Sequence, residues 1–318
     1  MNFSKESINV DPVKEVEKII LNLKESVTKK LKKRGAVIGI SGGIDSSVVL
    51  ALCAKTFGPE RVLGVMMPEN DSNPDSLELG KKLAERFNVK YVVENMTEAV
   101  AGFGCYKRRD EAIKNVFPEF NSTYKAKITL PTNLMETESL NVFQLTIIDS
   151  DGKTKSERLP LKEYLQIVAA SNFKQRSRMS MLYYHAEARN YAVIGTGNKN
   201  EHEQGFFVKY GDGGADIKPI AHLFKTQVFQ LAEYLGVPEE ICKRTPTTDT
   251  YSAEQTQEEF FYRVPFAILD RVWFAWERNV PAEQIAEALQ LTKNNVESII
   301  NDIQRKIRTT EYLRMEPL

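Results

Sequence analysis

Residues 41–47, Ser-Gly-Gly-Ile-Asp-Ser-Ser, bring three hydroxyls, two glycines and one carboxylate into consecutive positions. That combination is suited to holding an anion. Glycine permits positive φ and lets a ligand approach the backbone closely. Free N–H groups at a helix start, with the positive end of the helix dipole, converge on one point. Ser41, Ser46 and Ser47 add hydroxyl donors, and phosphate is the expected anion. Asp45 fits only if a cation separates its carboxylate from the phosphate oxygens, and Mg²⁺ is the natural bridging ion. No lysine follows the glycines, so this is not the Gly-x-x-x-x-Gly-Lys-Ser/Thr loop of common ATPases.

Positioning these groups requires a strand before them and a helix after. Ala36–Ile40 is a short apolar run with no alternation toward water, as expected of a buried parallel strand. From Ile44 onward Val48, Val49, Ala51, Leu52 and Cys53 form an apolar helical face. Strands are further expected at Arg61–Met67, Lys90–Val93 and Tyr191–Ile194, and a helix at about Asp75–Phe87 between the second and third. Such alternation predicts a doubly wound parallel α/β sheet, with its ligand beyond the carboxyl ends of the strands. Both Ser41 and Pro68-Glu69 fall there, as does a long glycine- and charge-rich stretch that starts at Gly195.

Around this core, Val13 to Lys33 carries an apolar stripe at helical spacing, expected to cover a sheet face or a partner subunit. Between Cys105 and Pro160 the pattern breaks down. Leu140–Ile148 and Lys153–Leu159 flank Asp149-Ser-Asp-Gly152, which reads as an inserted β-hairpin. Leu161–Asn190 is a long helical stretch with an interruption expected near Ser171-Asn172. The tail from Gln255 is helical, with Pro281 and Thr292 opening its later segments. The chain is thus expected to be one domain over 1–318: an N-terminal helix at 1–34, a core at 35–249 with the insertion at about 105–160, and a helical tail at 250–318.

Composition excludes several function classes. Lys plus Arg total 43 and Asp plus Glu total 43, so no basic field steers the chain to nucleic acid. No apolar run reaches the length of a membrane span, and the N-terminus lacks a signal-peptide core, so a cytoplasmic location is expected. Cys53, Cys105 and Cys242 lack metal-site or disulfide spacing.

The stretch 41–47 resembles the Ser-Gly-Gly-x-Asp-Ser signature of the N-type ATP pyrophosphatases, of adenine nucleotide α-hydrolase-like fold. The resemblance implies cleavage of ATP between its α and β phosphates and transfer of AMP to a substrate oxygen. Later blocks narrow it: Asn172-x-x-x-Arg-x-Arg-Met179, Gly195-Thr-Gly-Asn-Lys-x-Glu201, Gly205-Phe-Phe-x-Lys-Tyr-Gly-Asp-Gly-Gly-Ala-Asp216, Leu223-x-Lys-Thr-Gln-Val228 and Pro246-Thr-Thr-Asp249. They occur in the order found in NAD synthetases. Membership of that family implies a homodimer that adenylates the nicotinate carboxylate of deamido-NAD, after which ammonia displaces AMP. Carried over residue by residue, Ser41, Gly42, Gly43, Ile44, Asp45, Ser46 and Ser47 would surround the ATP phosphates, and Thr196, Lys225 and Thr247 would contact ATP. Asp45 and Glu201 match magnesium ligands, while Arg176, Lys209 and Asp216 match positions that bind deamido-NAD. Asp45 and Lys225 would be the catalytic pair, the lysine neutralising charge on the phosphoryl transfer state. His202 lacks a partner at ligand spacing and reads as a surface or hydrogen-bonded histidine.

The chain departs from the family on the acceptor side. Where the family carries Ser/Thr-Glu-His-Lys-Arg near the C-terminus, with the His-Lys pair on deamido-NAD, this chain has Thr310-Glu-Tyr-Leu-Arg314, so Tyr312 and Leu313 stand at the pair. Asp249–Tyr262 replaces the family's acidic-glycine segment. A related amide-forming ligase acting on another carboxylic acid therefore fits the same ATP-side residues. An idle nucleotide-binding protein fits them poorly, because Asp45, Glu201 and Lys225 are all present. Only 35 residues precede the first strand, too few for a glutaminase domain, so free ammonia, or ammonia from a separate protein, is the expected nitrogen source.

Overall fold

A computed structural model of the chain describes residues 3–129, 143–247 and 251–316. Its centre is a parallel sheet of β1 (Ala36–Gly39), β2 (Val62–Met66), β3 (Lys90–Val93) and β7 (Ala192–Ile194), in the order β3-β2-β1-β7. Ala36 of β1 pairs with Val62 on one side and Ala192 on the other. Because side chains alternate across a strand, the two faces fill separately. Ala36, Ile38, Val62 and Ile194 pack with α1 (Pro12–Glu25), α2 (Ile44–Phe57), α3 (Pro74–Arg86) and α8 (Lys225–Leu235). Val37, Leu63, Val65 and Val193 pack against Met179, Leu182 and Ala186 of α6 (Leu161–Glu187). At β1, β2 and β7 both faces are dry, so these strands carry no polar alternation, whereas the edge strand β3 is largely exposed.

α1 ends in one wider turn, Ser26–Lys30, and buries Val16, Ile19 and Leu23 on the sheet side. α6 shows no interruption at Ser171-Asn172. Ser171 is buried and Lys174 beside it is paired with acids, so tertiary contacts override the weak helix propensity of the Ser-Asn pair.

The segment after β3 is more ordered than a lone hairpin. α4 (Thr97–Gly102) leads into α5 (Cys105–Val116), whose buried residues Cys105, Arg109, Ala112 and Ile113 keep helical spacing, with an arginine among them. The hairpin exists, β5 (Gln144–Ile148) against β6 (Thr154–Arg158), and β4 (Lys125–Thr129) makes it a three-stranded antiparallel sheet. Its turn is closed by Asp149, whose Oδ1 accepts from the N–H of Asp151 at 3.0 Å and of Lys153 at 2.8 Å. Leu140–Val142 of the expected first strand, and Asp249 of the Pro246 block, lie outside the described residues. Between β7 and α8 stands α7 (Lys199–Gln204), and after α8 comes α9 (Glu239–Lys243). The tail is helical as expected: α10 (Phe266–Trp276), α11 (Ala282–Leu289) after Pro281, and α12 (Lys293–Thr309) capped by Thr292. Tail residues Trp273, Ile285 and Ile299 form a second core that takes in Ile8 and Phe224. Among the described residues no helix is long and apolar enough to cross a membrane.

Candidate active site

The strand order places β1 beside β7, with β2 and β3 on the other side, so the direction in which strands are added reverses between β1 and β7 while all four stay parallel. In an open parallel sheet that is where a crevice forms past the carboxyl ends. A cavity of about 900 Å³ opens there. The turn after β1, the loop after β2, the segment after β7, the middle of α6, the Arg244–Thr247 loop and the C-terminal turn all reach it.

The glycine turn is built locally. Gly42 adopts φ +73°, and a Cβ on it would stand 2.7 Å from the Ser76 carbonyl oxygen, so this position needs glycine. Gly43 does not share that conformation. It caps α2 at φ −94° and ψ 164°, and its carbonyl accepts from Ser46 Oγ at 3.0 Å and Ser47 Oγ at 2.8 Å. Ser41 Oγ accepts from the Gly43 N–H at 3.2 Å, and Ser46 Oγ accepts from the Ser41 N–H at 3.3 Å. Ser41, Gly43, Ile44, Asp45 and Ser46 line the cavity. Gly42 and Ser47 lie behind that lining and shape the turn.

Three charged groups meet at the mouth of this turn. Lys225 is the first residue of α8 and its side chain has no exposed surface, yet its Nζ donates to Asp45 Oδ2. Asp45 Oδ1 accepts from Asn198 Nδ2 at 2.9 Å. Asn198 also caps α7, accepting from the Glu201 N–H at 3.1 Å while its own N–H donates to Glu201 Oε2 at 3.2 Å. Asn198 therefore joins the two carboxylates. Burial, then the negative charge of Asp45, pushes the Glu201 carboxyl up to about 8, against the pull of Lys225. Burial alone would lower Lys225, but the attraction of Asp45 and Glu201 outweighs it and its affinity for the proton is raised.

Two carboxylates at one point, one pushed toward its protonated form by burial and then by the other's charge, form an oxygen donor set relieved by a divalent cation. Mg²⁺ is commonly held by one or two carboxylates together with substrate phosphates, and these donors fit it. Among the described residues there is no group of three or more His, Cys, Asp or Glu that could hold a metal ion.

The other expected residues divide. Thr196, Thr247, Arg176 and Lys209 line the cavity, as do Tyr312 and Leu313 of the C-terminal turn. Arg176 Nε donates to the Lys209 carbonyl at 3.2 Å, and Lys209 Nζ donates to the carbonyls of Tyr312 at 3.2 Å and Met315 at 2.8 Å. The tail thus folds back over the cavity. Asp216 stands outside the lining, its carboxylate accepting from Tyr183 Oη at 2.9 Å and from the Val193 N–H at 2.8 Å. His202 stacks on Phe207 with ring centres 5.9 Å apart.

Sequence reasoning missed two features. Arg244 lines the cavity and donates to Ser76 Oγ at 3.2 Å, while its Nη2 is buried without a partner. Because Ser76 backs Gly42, this guanidinium lies beside the anion turn. The second is a buried charge cluster. Lys174 of α6 donates to Glu69 at 3.2 Å and to Asp71, Arg109 of α5 donates to Asp71, and Tyr106 Oη donates to Glu69 Oε2 at 2.6 Å. Such pairs hold only when fully partnered. This one fastens the insertion helix α5 and the long helix α6 to the loop after β2, part of the cavity wall. Each partner lies far off in sequence; only the burial-patterned Arg109 signalled it.

A parallel sheet reversing beside a glycine turn, with a carboxylate, a buried lysine and a second carboxylate at its mouth, defines an adenine nucleotide α-hydrolase-like protein. The sequence model of NAD synthase matches residues 15–121 and 108–317. The NH(3)-dependent NAD(+) synthetase of Rhizobium rhizogenes is 45% identical over 315 residues, 99% of this chain and 95% of that protein. That of Thermotoga maritima is 36% identical over 263 residues, 83% of this chain and 87% of its own. The chain belongs to the NAD synthase family. Among solved structures, the NMN synthetase of Francisella tularensis superposes with a TM-score of 0.62 at 23% identity, covering 98% of each chain. The NH3-dependent NAD synthetase of Campylobacter jejuni does so with 0.61 at 24%, covering 97% of this chain and 99% of that one. At these identities the likeness speaks for the fold.

Proposed function

We propose that this chain amidates deamido-NAD with ammonia at the expense of ATP, giving NAD, AMP and pyrophosphate. The observation that carries the reading is the meeting of Asp45, Lys225 and Glu201 under the glycine turn, in a chain 45% identical to an NH(3)-dependent NAD(+) synthetase.

A carboxylate is a poor acyl donor, so its oxygen must first become a leaving group. An acceptor carboxylate oxygen attacks the α-phosphorus of ATP, and the α–β bridging oxygen leaves with pyrophosphate. The backbone N–H groups and hydroxyls of Ser41–Ser46 hold the phosphates, and Lys225 Nζ meets the charge that gathers on them during transfer. Ammonia then adds to the acyl carbon, sheds a proton, and AMP departs with the oxygen. Asp45 and Glu201 would hold Mg²⁺, which when bound neutralises phosphate charge. Thr196, Thr247 and Arg244 would serve ATP; Arg176, Lys209, Tyr312 and Leu313 would serve the acceptor, and Asp216 would act from behind through Tyr183 and β7.

One domain carries all of this, with 105–160 inserted as a brace and 250–318 as a closing tail. A homodimer belongs to the same reading, as the family resemblance implies. A cytoplasmic place suits free cysteines. The test incubates purified protein with ATP, Mg²⁺, ammonium and deamido-NAD and identifies products by mass spectrometry. NAD with equimolar AMP is expected. ADP as product, or faster amidation of nicotinate mononucleotide or another acid, overturns the assignment.

A further inference from the structure

The tail helix α10 buries one face through Phe266, Leu269, Val272 and Trp273, and in the middle of that face stands Asp270, with no exposed surface. Its carboxylate is directed at the elements that carry the reacting groups. Oδ1 accepts from Asn200 Nδ2 at 2.5 Å, and Oδ2 accepts from the Thr226 N–H at 2.8 Å. Asn200, itself fully buried, turns its Oδ1 to the Lys225 N–H at 3.0 Å. Three hydrogen bonds thus join the first turn of α8 to α7 through one anion from the tail. Lys225 and Glu201 are the neighbours of the atoms so tied. An isolated buried carboxylate is costly, and this one is met by one helix N-terminal N–H, from Thr226, and one side-chain amide, from Asn200, rather than by a lysine head. Lys225 gives its Nζ to Asp45.

We propose that Asp270 is a positioning residue for the adenylation step, fixing Lys225 and Glu201 opposite Asp45 through Asn200 and the start of α8. The proposal rests on the ATP-cleaving reading above. The tail also touches α7 through Glu277 on Lys199 at 2.9 Å, Gln257 on Glu201 at 3.4 Å and Arg314 on the His202 carbonyl. Asp270, however, is bonded to both α7 and the start of α8, and a displacement of order 1 Å at a reacting group costs up to about a hundredfold in rate.

Asp270→Asn turns one acceptor into a donor, so one of the two bonds must fail. The exchanged pair Asn200→Asp with Asp270→Asn restores every donor and acceptor: Asn at 270 accepts from Thr226 and donates to Asp at 200, which accepts from Lys225. Deamido-NAD-dependent pyrophosphate release and thermal melting are measured for each. Asp270→Asn is expected to lose about 10- to 100-fold in kcat, with KM for deamido-NAD within about threefold because the acceptor side is untouched. The exchanged pair is expected to recover kcat to within about fivefold of the unaltered protein. Unchanged kcat in Asp270→Asn, a loss confined to KM, or an exchanged pair that regains melting temperature without turnover overturns the proposal. If Asp270→Asn does not fold, the exchanged pair decides by its kcat alone. Absence of pyrophosphate release from the unaltered protein would instead refute the functional reading, and would show before any variant is compared.

Discussion

Lys225→Met tests the centre of the site most directly. Methionine keeps the length of the stem in a position with no exposed surface and removes only the charge. In the resting protein this deletes the Asp45 bond and leaves that carboxylate to Asn198 Nδ2 at 2.9 Å. Asp45 is still 14% exposed and reaches cavity water, and a buried cation has been removed, so the melting temperature should shift by only a few degrees. Turnover should respond far more. Losing a donor aimed at charge developing in a transition state costs about 10²–10³ in kcat. Acidity gives a second readout with a definite sign. Glu201 sits at about 8 with Lys225 pulling it down, so removing the lysine raises it further. The ionised form binds Mg²⁺, so the acid limb of kcat/KM should move to higher pH. The assay is pyrophosphate release at saturating ATP and limiting Mg²⁺, where Glu201 ionisation competes with metal binding, from pH 6 to about pH 9, the span in which such a limb is visible. A kcat within about threefold of the parent, or an acid limb moving to lower pH, would refute the role given to Lys225.

Asp45→Asn and Glu201→Gln should each lower turnover by at least about a hundredfold, with melting nearly unchanged, because polar groups in the first turns of α2 and α7 are changed rather than core volume; near-normal rates at saturating Mg²⁺ would reject the metal assignment. Without Mg²⁺, the folded protein keeps a proton on Glu201 between about 4.5 and about 8 that the unfolded chain has lost. Stability should therefore fall as pH rises through that window, and Mg²⁺ should flatten the fall, as differential scanning calorimetry can show. Arg244→Ala should raise KM for ATP about tenfold, the loss of one charge-assisted bond, and leave that for deamido-NAD alone. Tyr312→His with Leu313→Lys should lower KM for deamido-NAD by about ten- to a hundredfold without changing that for ATP, read from initial rates with each substrate varied.

The ATP side was legible because its chemistry is local. A glycine turn, its serines and Asp45 span seven positions, and the apolar strand before them and helix after them must appear at fixed offsets. The parallel sheet followed from the same alternation. Other features depended on distance. Ser171-Asn172 looks like a break until the neighbouring Lys174 is seen paired with Glu69 and Asp71, about a hundred positions earlier. α5 was hidden because Arg109 occupies a buried helical position made tolerable by Asp110 beside it and by the distant Asp71. Gly43 looked equivalent to Gly42, yet only Gly42 sits against Ser76. Asp270 did leave a mark, a lone acid in the apolar run Phe266–Trp276, but its partners Asn200 and Thr226 are 70 and 44 positions away.

The tail joins the two sides of the reaction. Its C-terminal turn is pinned by Lys209, and by Arg314, whose guanidinium donates to the His202 carbonyl at 3.2 Å and the Ile307 carbonyl at 2.7 Å. Arg314 is therefore spent on holding the turn and cannot replace the cation absent at Leu313. Lys306, which also lines the cavity, is committed to Asp302 at 2.7 Å, and burial lowers its affinity for the proton. Arg305, another cavity-lining cation, is paired with the same Asp302, so the acceptor reading rests on Arg176 and Lys209. Because α10 of the same tail reaches Asn200 and Thr226, any motion that opened the acceptor wall by shifting the tail as a body would loosen α7 and α8 as well. A variant that displaces the tail is therefore expected to disturb the acceptor wall and the alignment of Lys225 with Asp45 together.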